Sequence, residues 1–129
     1  GMGFWIFMFL MTLWMPLTMI GFGRYFQKKA PKEINAAFGY RTKRSMKNRD
    51  TWTFAHNYFG KLWHICGSIL LLPSILVMLF VIGKSEDTIG TAGGILCVIQ
   101  MIFLVGPIWP TERALKNMFD KNGNRKQEG

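Results

Sequence analysis

The chain is short of acid, of histidine and of cysteine, and each shortage closes a class of function. Seven Asp and Glu stand against sixteen Lys and Arg in 129 residues. With so few carboxylates, no nucleophile–base–acid set is spaced along the chain; Glu112 and Asp120 could complete a site only through the fold. The two histidines, His56 and His64, are eight apart. No Cys-x-x-Cys or His-Glu-x-x-His surrounds them, so no metal and no cofactor is expected. Cys66 and Cys97 fall in separate apolar blocks. Their depths in a bilayer would differ by roughly 10 Å at 1.5 Å per residue. A disulfide needs Cα atoms within about 7 Å, so both are expected to be small packing residues.

Charge is almost missing from three blocks: 4–22, 62–82 and 89–109. Each reaches the roughly 20 apolar residues that a bilayer crossing requires. The first block has no basic leader and no small-residue cleavage site, so it is expected to be retained as a span. Pro16 lies inside it, where neighbouring groups must satisfy the carbonyl it frees. Half of all residues are hydrophobic, and the net charge is +9. Such charge can signal nucleic acid. Here the basic residues flank apolar runs, so lipid attraction and topology explain it and nucleic acid is not expected.

The fold class that follows is all-α integral membrane, one domain over 1–129. Its parts are three transmembrane helices, a cytoplasmic connector (31–61) containing a short surface helix, and a short cytoplasmic C-terminal helix in the tail (111–129). Pro31 and Gly39 bracket the surface helix at Lys32 to Phe38. Asp50 is the expected cap of the long second helix. Trp52, Ala55, Phe59 and Leu62 share one face of it; Asn57, Lys61, His64 and Ser68 share another. His64 is either an interfacial side chain or part of a polar stripe facing protein. Gly90 and Gly94, extended by Cys97 and Gln100, form a packing face suited to helix neighbours or a homo-oligomer. Gln100 is expected to make one interhelical hydrogen bond. Thr111 is expected to cap the tail helix, and Asp120 to Gly129 to fray.

Orientation follows from the basic residues. Ten lie between the first two blocks, five after the third, one (Lys84) in the remaining turn and none before the first block. The positive-inside rule therefore puts the connector and the C-terminus in the cytoplasm and the N-terminus outside, in a multi-pass arrangement.

The polar segment between the first two blocks carries an unusual string of unlike residues. It reads Asn35-x-x-x-Gly39-Tyr40-Arg41-Thr42, then Ser45-Met46-Lys47-Asn48, then Asp50-Thr51-Trp52 and Tyr58-Phe59-Gly60. This string resembles the SdpI family of small bacterial membrane proteins. The resemblance implies an immunity or resistance protein acting against a membrane-active toxic peptide, by binding rather than catalysis. It also implies a repressor held at the membrane as a candidate partner.

Within that frame Arg41 would fix carbonyls or carboxylates, and Trp52 and Tyr40 would pack the connector on the spans. The candidate site is Asn35, Gly39, Tyr40, Arg41, Thr42, Ser45, Met46, Asn48, Asp50, Trp52, His56, His64 and Glu112. The alternative that these residues merely fold the connector stands beside it. A second class of function is a lipid-headgroup-binding enzyme or carrier, with Arg41, Lys43, Arg44 and Lys47 on a phosphate and His56 or His64 as base. A third is a small transporter subunit, which would need an oligomer.

Overall fold

The computed structural model describes residues 2–28 and 40–126. The surface helix expected at Lys32 to Phe38, and the candidates Asn35 and Gly39, lie outside the described residues. Within them the chain is helical, with one isolated bridge between Phe119 and Arg125.

Helix α1 is Met2–Lys28 and runs unbroken through Pro16. Helix α2 is Arg49–Phe80. Its N-cap is Asn48, not Asp50. The Asn48 side chain accepts from the Thr51 amide, and the Thr51 hydroxyl accepts from the Asn48 amide. This reciprocal pair satisfies two groups that a helix start leaves orphaned. Asp50 sits in the first turn, where the helix dipole favours an anion. Gly83, at φ +76°, turns the chain into α3, Glu86–Val105, which Ser85 caps. A short turn at Gly106 and Pro107 leads to α4, Ile108–Met118. Thr111 does not cap α4. It lies one turn inside, and its hydroxyl donates to the Pro107 carbonyl at 2.7 Å. Pro110 fits the first turn of α4, where no internal N–H partner is required.

Met2–Lys28, Arg49–Phe80 and Glu86–Met118 are each long and apolar enough to cross a membrane. Only 22% of the apolar window in each is buried within the protein. The outer rows are large hydrophobics, such as Leu10, Trp14, Ile69, Leu72, Phe80 and Ile102. Water would not tolerate so much apolar surface on so small a chain; hydrocarbon does. A 32-residue helix spans about 48 Å, against a hydrocarbon thickness of about 30 Å. The excess is the polar first part of α2, up to Lys61.

Glycine sets the α1–α2 approach. A Cβ on Gly23 would stand 2.5 Å from the His64 nitrogen, and one on Gly60 would stand 2.7 Å from the Gly23 carbonyl oxygen. A Cβ on Gly67 would meet the Pro16 carbonyl at 2.8 Å. The two backbones therefore touch along three turns, as close helix pairs in membranes do. On α3 the packing glycine is Gly93, which lies against Met8, with Gly90 beside Phe4. Gly94 faces open space, so the expected Gly90–Gly94 pair splits between a packed and a free side.

Helix ends are closed by neighbours. Trp5 Nε1 donates to the Met78 carbonyl near the end of α2, and Trp63 Nε1 to the Leu104 carbonyl near the end of α3. Asn57, with its amide turned to donate, reaches the Phe26 and Gln27 carbonyls that end α1. These are carbonyls that a helix cannot satisfy by itself.

Candidate functional site

At one end of the bundle α1 finishes, α2 begins and α4 returns. The core there is Tyr40, Ala55, Phe59, Leu115 and Phe119, with Phe54 and Trp63 packed against it. It lies beside the polar first part of α2. Burial there removes apolar surface from water and is worth about 1.5–3 kcal/mol per large side chain.

Tyr40 holds the connector in place at two points. Its backbone N–H donates to His56 Nε2 at 2.8 Å, and its hydroxyl donates to Glu112 Oε2 at 2.6 Å. One residue thus joins α2 to α4. The other His56 nitrogen, Nδ1, lies 2.8 Å from the Trp52 carbonyl. A carbonyl needs a donor and an N–H needs an acceptor, so the ring is neutral with its proton on Nδ1. Both nitrogens are then spent on the main chain. The ring is fully buried, 4.3 Å from the Trp52 ring and edge-on to Phe26 at 4.9 Å. Burial pushes its pKa below the usual histidine range, and the nearby Arg49 charge adds to this; the bond to Trp52 opposes it. Burial likewise raises the Tyr40 phenol far above the usual tyrosine range, helped by its bond to Glu112 and by that carboxylate's charge.

Glu112 gathers three connector residues. Besides Tyr40, the Thr42 hydroxyl donates to Oε2 at 2.8 Å, and Arg44 Nε lies 4.0 Å from Oε1. Ser45, buried, closes the turn behind them. Its Oγ accepts from the Thr42 N–H at 2.8 Å and lies 3.1 Å from the Tyr40 carbonyl it can donate to. Met46 donates its amide to the Thr42 carbonyl, and the Thr51 hydroxyl lies 3.0 Å from the Ser45 carbonyl. The connector from Tyr40 to Thr51 is a wound, internally bonded turn rather than a solvated charge run.

The tail docks on the same turn. Asn48 Nδ2 donates to the Gly123 carbonyl at 2.7 Å, and Lys47 Nζ donates to the Lys121 carbonyl. Arg125 grips Asp50 through two bonds of 2.9 Å while lying over the Phe119 ring. Asp120 through Lys126 is therefore packed against the connector, where fraying is expected; 127–129 lie outside the described residues. Its own turn is tied by Asp120, which accepts from the Asn122 and Asn124 amides. The basic partner of Asp50 comes from the tail, 75 residues away.

Above Phe59 a cleft of about 400 Å³ opens. Thr18, Phe22 and Phe26 of α1, Phe59 and Trp63 of α2, and Ile108 of α4 line it, with Tyr40, Arg41 and Thr42 on the connector side. Arg41 is exposed. So of the expected site, the fold brings together Tyr40, Arg41, Thr42, Ser45, Met46, Trp52, His56 and Glu112. Asn48 and Asp50 face the tail. His64 stands apart, half-buried, with its backbone against Gly23.

Sequence reading missed Phe22, Phe26 and Trp63 as cleft walls, and Gly23 and Gly60 as the close approach that frames them. Of the run Trp52, Ala55, Phe59 and Leu62 expected on one face of α2, the first three are buried and Leu62 is half-buried. Nothing in the sequence paired that face with Phe26. Among the described residues no group of three or more His, Cys, Asp or Glu could hold a metal, and both cysteines are free.

No solved structure matches the chain. It is similar to a protein of Bacillus subtilis (strain 168) described as "Uncharacterized protein YfhL": 29% identical over 97 residues, covering 72% of this chain and 74% of that one. Residues 32–111 match the SdpI/YfhL protein family, a stretch that holds the connector, α2, α3 and the start of α4. With three helices fit to cross a bilayer and a family match over well over half its length, the chain is a multi-pass membrane protein that belongs to the SdpI/YfhL protein family.

Proposed function

We propose that this protein confers resistance to a membrane-active toxic peptide by binding it, with the connector as the recognition surface. In this reading the N-terminus lies outside a bacterial inner membrane. The connector, α4 and the tail face the cytoplasm, as the concentration of Lys and Arg at that end favours. The observation that carries the reading is the double anchoring of Tyr40 to His56 and Glu112. It fixes the neighbouring Arg41 at the mouth of an aromatic cleft. A guanidinium so placed offers several donors in one plane to peptide carbonyls or a carboxylate. Pre-ordering of the connector lowers the entropy lost on capture. Family membership supports the same reading.

The test is expression in a sensitive bacterium challenged with membrane-active peptides. The intact chain should protect; Arg41→Ala should abolish protection while the protein stays in the membrane at normal abundance. Trp52→Ala, which also opens the fully buried packing under His56, should lose protection together with stability. Undiminished resistance with Arg41→Ala at normal abundance rules the reading out.

A further inference from the structure

The cleft does not end at Phe26. A second hollow of about 380 Å³ shares Thr18 and Phe22 with it and continues past Gly21 and Tyr25 on the outer face of α1. Adjoining at Thr18 and Phe22, they give a shallow groove that reaches from Arg41 across the outer face of α1 to Gly21 and Tyr25. Phe22 closes the uncharged stretch of α1 and Arg24 is its first charge, so the groove crosses the level where hydrocarbon gives way to headgroups.

We propose that this groove holds an anionic phospholipid, its acyl chain against Thr18, Gly21 and Phe22 and its phosphate toward Arg41. Three observations suit a lipid. The walls are mainly rings and aliphatic carbon, which suit a chain with no hydrogen-bonding groups. The polar groups at the head of the groove already have partners: the Tyr40 and Thr42 hydroxyls are both committed to Glu112. Finally, the charge at this end is one-sided. Arg24, Lys28, Arg41, Lys43, Arg44, Lys47 and Arg49 belong to this end of the bundle, against Asp50 and Glu112, and of these Arg41 lines the groove. An anionic head complements that field. The proposal needs no toxin, though it places the phosphate at the same Arg41 that the resistance reading uses.

Gly21 supplies the decisive variant. A Cβ there meets nothing within 4 Å, so Gly21→Phe fills the groove without touching the helix packing. Gly94→Phe, equally open but on α3, is the control. The full-length protein, purified in a mild detergent, is titrated with phosphatidylglycerol and with phosphatidylcholine of the same chains, and bound lipid is counted by native mass spectrometry. Phosphatidylglycerol should be retained about fivefold or more better, the discrimination about one basic residue provides near a phosphate. Gly21→Phe should lose the adduct, Arg41→Gln should lose the preference for the anionic lipid, and Gly94→Phe should keep both. Equal retention of the two lipids, an undiminished adduct in Gly21→Phe, or a co-isolated mass that is peptide rather than phospholipid overturns the proposal. A Gly21→Phe protein that loses lipid yet still protects cells leaves the resistance reading standing, so the two fail separately.

Discussion

Gln100 donates its side-chain amide to the main-chain carbonyl of Thr12 at 2.8 Å, from α3 into α1. In an unbroken helix that carbonyl takes the N–H of residue 16, and residue 16 is proline. Gln100 thus replaces the bond that Pro16 removes. The same nitrogen lies 2.9 Å from Ser74 Oγ, so one amide ties all three long helices. Its Oε1 has no partner among the described residues, which confines the gain to the nitrogen. Gln100→Leu should cost about 1–2 kcal/mol, the upper part of the range for interhelical hydrogen bonds in membranes. In a Pro16→Ala background the loss should shrink, because the new N–H serves Thr12. Reversible unfolding in mixed detergent micelles, run as a double-mutant cycle, measures this. Equal losses in both backgrounds would show that Gln100 acts elsewhere.

Two glycines two positions apart should behave in opposite ways. Gly23 faces the α2 backbone, where a methyl would stand 2.5 Å from the His64 nitrogen and 2.7 Å from the Gly60 oxygen. Neither atom can swing aside. Gly23→Ala should therefore destabilise by about 1–3 kcal/mol, the usual cost of overpacking. Gly21 faces open space, and Gly21→Ala should be neutral or stabilising by up to about 1 kcal/mol through helix propensity. The same unfolding measurement reads both. If the two variants match, the α1–α2 contact is not backbone against backbone.

The contrast also marks how far the sequence can be read. The three long apolar helices, the kink problem at Pro16 and a polar Gln100 reaching between helices are all legible, because hydropathy and helix periodicity are local signals. The buried face Trp52, Ala55, Phe59 is legible for the same reason. Which glycine meets which helix is not. Gly90 and Gly94 have the spacing of a packing pair, yet Gly93 takes the contact with Met8, because α1 crosses α3 on that side. Asp50 is the expected cap of α2, yet Asn48, two residues earlier, takes the position, because it alone makes the reciprocal bond with Thr51. Tyr40 to Glu112 and Asp50 to Arg125 join residues more than seventy apart, through a chain reversal that no local pattern encodes.

The docked tail gives a prediction of its own. Gly123 adopts φ +83°, and a Cβ there would lie 2.6 Å from Asn48 Nδ2. Gly123→Ala meets strain in the backbone and a clash at the bond that holds the tail. The tail should detach while the bundle remains. Limited proteolysis should then cut between Lys116 and Lys126 several times faster than in the intact protein, with helical circular dichroism unchanged. Asn48→Ala should speed cleavage too, and should also cost about 1 kcal/mol through loss of the cap. A cleavage rate unaffected by Gly123→Ala would mean that the tail is held by other contacts.

Acid should act on this protein through His56. Its pKa is held below the ordinary value of 6.5 in the folded state, chiefly by burial. The folded state therefore binds fewer protons than the unfolded state as pH falls past 6.5. The stability tied to the neutral ring is complete above that pH and declines below it, down to the folded pKa. The structural reason is specific: protonation makes Nε2 a donor, so it can no longer accept from the Tyr40 N–H. The connector should loosen first. Hydrogen exchange at the Tyr40 amide should accelerate as pH drops from 7 toward 5, beyond the intrinsic change in exchange rate, while amides of α3 stay protected. His56→Gln can still offer an oxygen to that N–H and has no titrating ring, so it should flatten the pH response. His56→Ala leaves the amide without an acceptor and should cost about 1–3 kcal/mol at neutral pH. At the alkaline end the sign reverses. The Tyr40 phenol is raised from 10 by burial and by Glu112, so its contribution is complete below pH 10 and fades as pH climbs above it. A stability profile that is flat from pH 7 to 5 in the intact protein would disprove the neutral, doubly bonded ring.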